Sequence, residues 1–401
     1  LDKITAEVQA FYEAYPYPPD GHVNCDGYHA RLLLSYLQRT NDDSGRIHVL
    51  EAGCGRGLNL LAAAERQTDI DFTGVDINRV AIAEATHRSK QRGIDNLRYF
   101  ICDLLDHESL PVREGSYQVI LSYGVLTHLS NPLLGLRHIS RLLAPQGVVA
   151  IMLDGSYGRQ PLDRYLQALS IIDHDCRSMD RLSMARALAD AAETTLFNGN
   201  CWQGTASVDD IEFADRCLHV HQKSYDIAGL WRLLDSAGLR FIRWLEPNDW
   251  EIRQVIDNPE LLRLIDSIDD MKRFQLTERL KFLPKFTLLV SRREDKPRPQ
   301  LLATEVAATQ YAFNPQLMLE RKGEHVEGCR LRGRRVDLNS HPLTHLVLDQ
   351  AAQLSDEFPG QQLIDRLLKQ NLGSQLIIQG IIHAVEHELL YRPHAVGDDL
   401  T

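Results

Sequence analysis

Residues 47–59 read IHVLEAGCGRGLN, and this stretch decides the fold. Its apolar first half has the composition of a strand buried on both faces. Glycines follow at 53, 55 and 57, and LNLLAAAERQ at 58–67 then carries helical spacing. Glycine is needed in such a turn because the chain must pass through positive φ and because a Cβ would block a ligand from approaching the backbone. Reading outward, strand and helix alternate: DFTGVD at 71–76, a helix at 80–92, LRYFICD at 97–103, YQVILS at 117–122, a helix at 132–142 and GVVAIML at 147–153. That alternation predicts an α/β fold, a parallel sheet with helices on both faces. After a long helical stretch the pattern resumes with a helix at 227–238, LRFIRWLE at 239–246, charged helical sequence at 259–280 and KFTLLVSRR at 285–293, which brings the expected strands to seven.

Two acids stand in register with the glycine turn. Asp76 ends the second strand, where a carboxylate can accept hydrogen bonds from a ribose diol, and Asp103 follows the third strand, within reach of an adenine amino group. Ligands of open parallel sheets bind outside the carboxyl ends of the strands, so the three features converge on one crevice. A dinucleotide is the rival ligand, but its turn has the form G-x-G-x-x-G. Here the spacing is G-x-G-x-G, and Glu51 precedes it where a pyrophosphate would be repelled. A cofactor with a cationic centre and an ammonium group fits better, which points to S-adenosyl-L-methionine, with S-adenosyl-L-homocysteine as product.

At EAGCGRG the sequence resembles the class I S-adenosylmethionine-dependent methyltransferases, and SYGVLTHLSNP and RLLAPQGVVAI extend the likeness over about residues 11–292. The resemblance implies a Rossmann-like seven-stranded methyltransferase sheet whose last strand, KFTLLVSRR, runs antiparallel. It places Gly53, Cys54, Gly55 and Gly57 around the methionine part of the cofactor, Asp76 at the ribose, and Asp103 with Leu104 at the adenine. Ser122 and Tyr123 fall nearest the transferable methyl. Tyr12, Glu51, Asn59 and Ile77 complete the expected cofactor set. More narrowly, the leader FYEAYPYPP and the stretch HVHQKSYDIAGLWRLLDSAGLRFIRW resemble bacterial methyltransferases found alone or fused to helical-repeat domains. A weaker likeness is to bacterial protein-lysine methyltransferases with extra C-terminal domains.

In-line displacement at an activated methyl needs chiefly a well-placed acceptor lone pair. An amine or hydroxyl acceptor must also lose a proton, and Tyr123, His128 and Tyr17 are the candidates for the catalytic edge. The N-terminal segment, 1–46, is expected to cap the domain: prolines 16, 18 and 19 fix the directions of Tyr12, Tyr15 and Tyr17, so that the leader closes over the cofactor. The helical insertion at 155–228, set within a methyltransferase domain of residues 47–293, is expected to build the acceptor pocket, with His219, His221 and Tyr225 as its polar residues.

The Pro- and charge-rich run EDKPRPQ at 294–300 marks a domain boundary, and residues 300–401 are expected to form a small α+β accessory domain, with a winged-helix-like unit as one reading. Its basic cluster, Arg321, Lys322, Arg330, Arg332, Arg334 and Arg335, is tempered by Glu324 and Glu327. It lacks the interleaved aromatics of a base-stacking surface. A solvated ribbon for docking or homodimerisation is preferred there to nucleic-acid binding. Two metal patterns are set aside: His22, Cys25 and His29 offer only three candidates, and His383, Glu386 and His387 match H-x-x-E-H without a downstream carboxylate at the needed distance. No metal is expected.

Composition bounds the rest. The 401 residues carry a net charge of −11, from 44 basic against 55 acidic side chains, which argues against a chain-wide nucleic-acid or anionic-membrane surface. Seven cysteines without a C-x-x-C pair suit a reducing compartment, and no 18-residue apolar run or signal-peptide pattern is visible, so a cytoplasmic location is expected. The sequence thus predicts a methyltransferase acting on a protein, with lysine the leading acceptor, or on a small metabolite. The alternative is a catalytically silent cofactor-binding regulator or assembly protein acting through its C-terminal domain.

Overall fold

The computed structural model describes residues 2–21, 23, 27–38, 46–106, 108, 114–173, 180–323, 325–338 and 342–393. The chain divides into two compact units, 1–25 with 47–294 and 26–46 with 295–401, so the two halves of the N-terminal segment belong to different bodies.

The first unit is built on β1 (His48–Ala52), β2 (Asp71–Asp76), β3 (Leu97–Ile101), β4 (Tyr117–Tyr123), β5 (Leu143–Gly155), β6 (Ser224–Tyr225), β7 (Leu239–Trp244) and β8 (Lys285–Arg292). Seven strands run in the order β3-β2-β1-β4-β5-β8-β7, with the stub β6 added to β5. Strands β1 to β5 are parallel, whereas β8 is antiparallel to both β5 and β7, so the last strand of this sheet in chain order is the reversed one, as expected. The stub is a strand within the stretch 155–228, read from the sequence as a helical insertion. Two residues carry no periodicity, and they pair only because β5 runs on to Gly155, placing Asp154 beside Ser224.

The helices are α1 (Lys3–Ala14), α2 (Ala30–Leu34), α3 (Leu58–Arg66), α4 (Arg79–Gln91), α5 (Pro132–Arg141), α6 (Ser156–Asp173), α7 (Arg181–Ala192), α8 (Asp210–Cys217), α9 (Ile227–Ser236), α10 (Pro259–Asp266) and α11 (Asp270–Leu280); α3, α4, α5 and α9 fall where the sequence places them, the charged stretch 259–280 divides into α10 and α11, and α2 belongs to the second unit. Several starts are fixed by local chemistry: Asn78 caps α4 through bonds from the Val80 and Ala81 amides, and Asn131 caps α5, with Pro132 in the first turn. The central core joins Leu50, Val75, Ile120, Val149 and Leu288 from the sheet to Leu136, Ile139 and Leu230 from the helices. The insertion has a core of its own, with Leu162, Tyr165, Met184, Phe197 and Phe213, and Phe11 of α1 is part of it. Packing therefore ties the leader helix to the insertion within one body.

The second unit adds β9 (Gln310–Phe313), β10 (Leu317–Lys322), β11 (His325–Leu331), β12 (Arg334–Arg335), α12 (Thr344–Ala351), β13 (Glu357–Pro359), α13 (Gly360–Leu368), α14 (Ser374–Glu386) and β14 (Leu390–Tyr391). Helical spacing in the sequence at 341–355, 361–370 and 374–390 corresponds to α12, α13 and α14, and the strands pair as two antiparallel sheets, β13-β9-β14 and β10-β11-β12. Tyr311, Val347, Phe358, Leu363, Ile377 and Ile381 form its core. The basic cluster is partly neutralised: Arg330 bonds Glu320 at 2.8 Å, and the nearly buried Arg332 bonds Glu388 at 2.7 Å. Helix α14, SQLIIQGIIHAVE, carries no Lys or Arg. His383 and His387 stack at 3.9 Å. His22 and Cys25 lie outside the described residues. Among the described residues no helix is long and apolar enough to cross a membrane.

Candidate active site

The crevice opens at the carboxyl ends of β1, β2 and β4, on either side of the point where strand order reverses. The turn after β1 has Gly53, Gly55 and Gly57 at φ of 83°, 51° and 65°. Its amides are paired downward: Gly53 and Cys54 both donate to the Val75 carbonyl, at 2.8 and 3.0 Å. Gly55 donates to Asp76 Oδ2 at 2.7 Å, and the Asn78 amide donates to Oδ1 at 2.8 Å, so the carboxylate is clamped between two turns. Burial pushes the Asp76 carboxyl up, against the lowering effect of the Asn78, Gly55 and Ile77 amides. Each clamped oxygen keeps a second lone pair for a ligand hydroxyl.

Glu51 is buried below the turn, and its charge, after desolvation, helps raise Tyr123; Cys54 is raised by burial, then by Asp76 and Glu51. Ser122 is fully buried at the end of β4 with a hydroxyl that has no protein partner, and the Thr127 hydroxyl shares that state. Orphaned hydroxyls on the segments bordering a crevice are what a polar ligand would satisfy. Asp103 accepts from the Leu105 amide at 2.9 Å, and the Leu104 carbonyl faces His138 Nδ1 at 3.0 Å. Asn59 sits half-buried in the first turn of α3, and Ile77 half-buried after β2.

The leader lies directly on this turn. The Tyr17 carbonyl accepts the Arg56 amide at 3.2 Å, the Pro18 carbonyl accepts Arg56 Nη1 at 3.1 Å, and Arg56 also pairs with Glu84 and Asp20 at 2.6 and 2.9 Å. A Cβ on Gly55 would sit 2.5 Å from the Tyr17 carbonyl oxygen. Further back, the Tyr12 carbonyl accepts Asn78 Nδ2 at 2.9 Å, and Gln9 reaches the Ile77 carbonyl at 3.3 Å. The Tyr12 hydroxyl donates to Asp215 on α8 at 2.9 Å, and Tyr17 bonds Glu212 on the same helix. Burial and these carboxylates raise both phenols.

The structure thus brings Tyr12, His128 and His219 together, with His128 stacked on His219 at 3.7 Å and Tyr12 edge-on to both, while Tyr17 pairs with Glu212. It separates the other two insertion residues. His221 reaches His128 through its backbone carbonyl, 3.0 Å from Nδ1. Tyr225 belongs to the central core, where its hydroxyl is buried without a partner, because pairing of β6 to β5 turns it inward. Sequence reasoning missed Asp215, Arg56 and Asn78. Asn78 had a legible signal, an Asn between the end of β2 and a helix; Asp215 had none, since its role depends on α8 packing beside the leader.

Residues 43–211 match a family model described as a methyltransferase domain. This match, with the glycine turn, the clamped acid and the reversed last strand, gives the chain an S-adenosylmethionine-dependent methyltransferase domain. The uncharacterized protein syc1184_c of Synechococcus sp. is 26% identical over 293 residues, covering 70% of this chain and 69% of that protein. A tRNA (guanine-N(7)-)-methyltransferase of Leifsonia xyli is 29% identical over 104 residues, which cover 26% of this chain and 44% of that enzyme. In fold, the chain is similar to PKMT2 from Rickettsia typhi in complex with AdoHcy: TM-score 0.69 and 16% identity, covering 95% of this chain and 78% of that one.

Proposed function

We propose that the protein methylates the side-chain amine of lysine in a protein acceptor. The observation that carries this reading is the second folded unit, with its own core, lying outside the methyltransferase domain. Methyl transfer to a small molecule does not require such a body, whereas a macromolecular acceptor needs a surface to dock on. Support also comes from the weaker sequence likeness to bacterial protein-lysine methyltransferases and from the PKMT2 fold, which spans 95% of the chain. The net charge of −11 suits an acceptor presenting a cation.

The bound cofactor supplies a methyl already activated on a sulfonium. The chain's own residues do the rest. Asp76 accepts the ribose hydroxyls, the glycine turn with Cys54 and Asn59 admits the methionine part, Asp103 and Leu104 flank the adenine, and Ser122 and Tyr123 border the methyl. The leader, through Tyr12 and Tyr17, closes the crevice and excludes water.

The test is transfer of radioactive methyl from S-adenosylmethionine into the protein fraction of a bacterial lysate, followed by acid hydrolysis and amino-acid analysis. Label in methylated lysines is expected. Label confined to small molecules, or to another amino acid, overturns the reading.

A further inference from the structure

Between the leader and the insertion lies a buried polar cluster. Ring nitrogens of His128 and His219 and a carboxylate oxygen of Asp215 all lie within 4.8 Å of one another. By composition the trio suits a divalent cation, but its hydrogen bonds assign the protons otherwise. His128 Nδ1 faces the His221 carbonyl at 3.0 Å, and a carbonyl only accepts, so Nδ1 carries the proton and Nε2 the lone pair. His219 Nδ1 accepts the His221 amide at 3.1 Å, so the proton of its neutral ring is on Nε2, an atom buried without a partner. A nitrogen in that state has no lone pair for a metal; it has a hydrogen bond to give.

The backbone holds this arrangement. The Lys223 amide donates to the Thr127 carbonyl at 2.9 Å and the His128 amide to Val125 at 2.9 Å, so the ring is presented from two fixed strands of chain. Tyr12 joins the cluster to the crevice: its hydroxyl bonds Asp215, and its carbonyl bonds Asn78, whose amide clamps Asp76. The groups facing His128 are Tyr12 from α1, Asp215 from α8, and His219 with the His221 carbonyl from the segment after α8.

We propose that His128 Nε2 takes the proton from the acceptor amine, that Asp215 holds the imidazolium so formed, and that the Nε2–H of His219 orients the acceptor. This rests on the lysine reading above. The ammonium gives one proton to Nε2, the freed lone pair forms the N–C bond as the C–S bond breaks, and that bond's electron pair stays on sulfur. Buried beside His128, Asp215 is drawn two ways: desolvation raises its carboxyl, and the His128 charge is the largest influence lowering it. His219 is pushed down to about 2 by burial, then by His128, which keeps it neutral and confined to donating.

The test compares the full chain with H128Q and D215N. Methyl transfer into lysate protein is followed across pH, S-adenosylhomocysteine binding is measured by calorimetry, and histidine tautomers are read by 15N NMR. H128Q is expected to lower kcat by ~10²- to 10⁴-fold, to change the shape of the pH profile relative to wild type, and to bind S-adenosylhomocysteine within about threefold of wild type. D215N, a change in a positioning residue, is expected to lower kcat while KM stays within about twofold. NMR is expected to show His128 protonated at Nδ1 and His219 at Nε2. A pH profile of H128Q parallel to wild type, the opposite tautomer at His128, or activity lost to a chelator and restored by a divalent cation each overturns the proposal. Label found only in small molecules overturns the lysine reading instead, and the same comparison on that fraction still decides the role of His128.

Discussion

Gly55→Val is expected to abolish measurable binding of S-adenosylhomocysteine. Three costs fall on one position. Gly55 sits at φ 51°, a conformation that costs an ordinary L-residue roughly 1–2 kcal/mol and a β-branched one more. The new Cβ would stand 2.5 Å from the Tyr17 carbonyl oxygen, which is backbone and cannot swing aside as a side chain would. Any shift of the turn that relieves the clash breaks the 2.7 Å bond from the Gly55 amide to Asp76, the acid at the centre of the crevice. The leader and Asp76 are thereby disturbed together. Calorimetric titration should show affinity lower by more than ~100-fold, with far-UV circular dichroism unchanged because the core strands β1 and β2 do not depend on this residue's side. Affinity within threefold of wild type would mean that the turn does not border the ligand.

Removing residues 1–20 has the next largest expected effect. The leader contributes no strand, yet it bonds two of the turns that line the crevice, Arg56 through the Tyr17 and Pro18 carbonyls and Asn78 through the Tyr12 carbonyl, and it also holds Ser130 through Asp2 at 2.8 Å. It also covers Asp215 and packs Phe11 into the core of the insertion. Truncation should weaken S-adenosylhomocysteine binding at least ~10-fold and eliminate methyl transfer, because water would then reach the crevice and the acceptor pocket would lose a wall. An exposed pair offers a contrast. Asp20 is 72% exposed, so Asp20→Ala should change affinity by less than about twofold even though it removes a contact to Arg56. A truncated protein that binds and transfers like wild type would reduce the leader to a surface strap.

The sheet was legible because its strands are apolar on both faces and its helices are spaced between them; β1, with four of five residues buried, shows why. The glycines and Asp76 were legible for a related reason, since φ above zero and a strand-end acid are properties of the local chain. What sequence did not reveal depends on pairing between distant segments. β6 exists only because β5 continues to Gly155, and that pairing sends Tyr225 into the core. Asp215 is one acid among several on an amphipathic helix until α8 is laid against the leader. In the second unit, strands of two to four residues such as β9 and β14 fall below the length at which alternation can be detected.

The most direct measurement is calorimetric titration of S-adenosylhomocysteine into wild type and Asp76→Ala. Removing a carboxylate that bonds a ligand inside a buried site is predicted to cost about 1–3 kcal/mol, or ~5- to 150-fold in affinity, with one molecule bound per chain by wild type. No binding to wild type, or equal affinity in the two proteins, would contradict the assignment of the crevice on which the whole account stands.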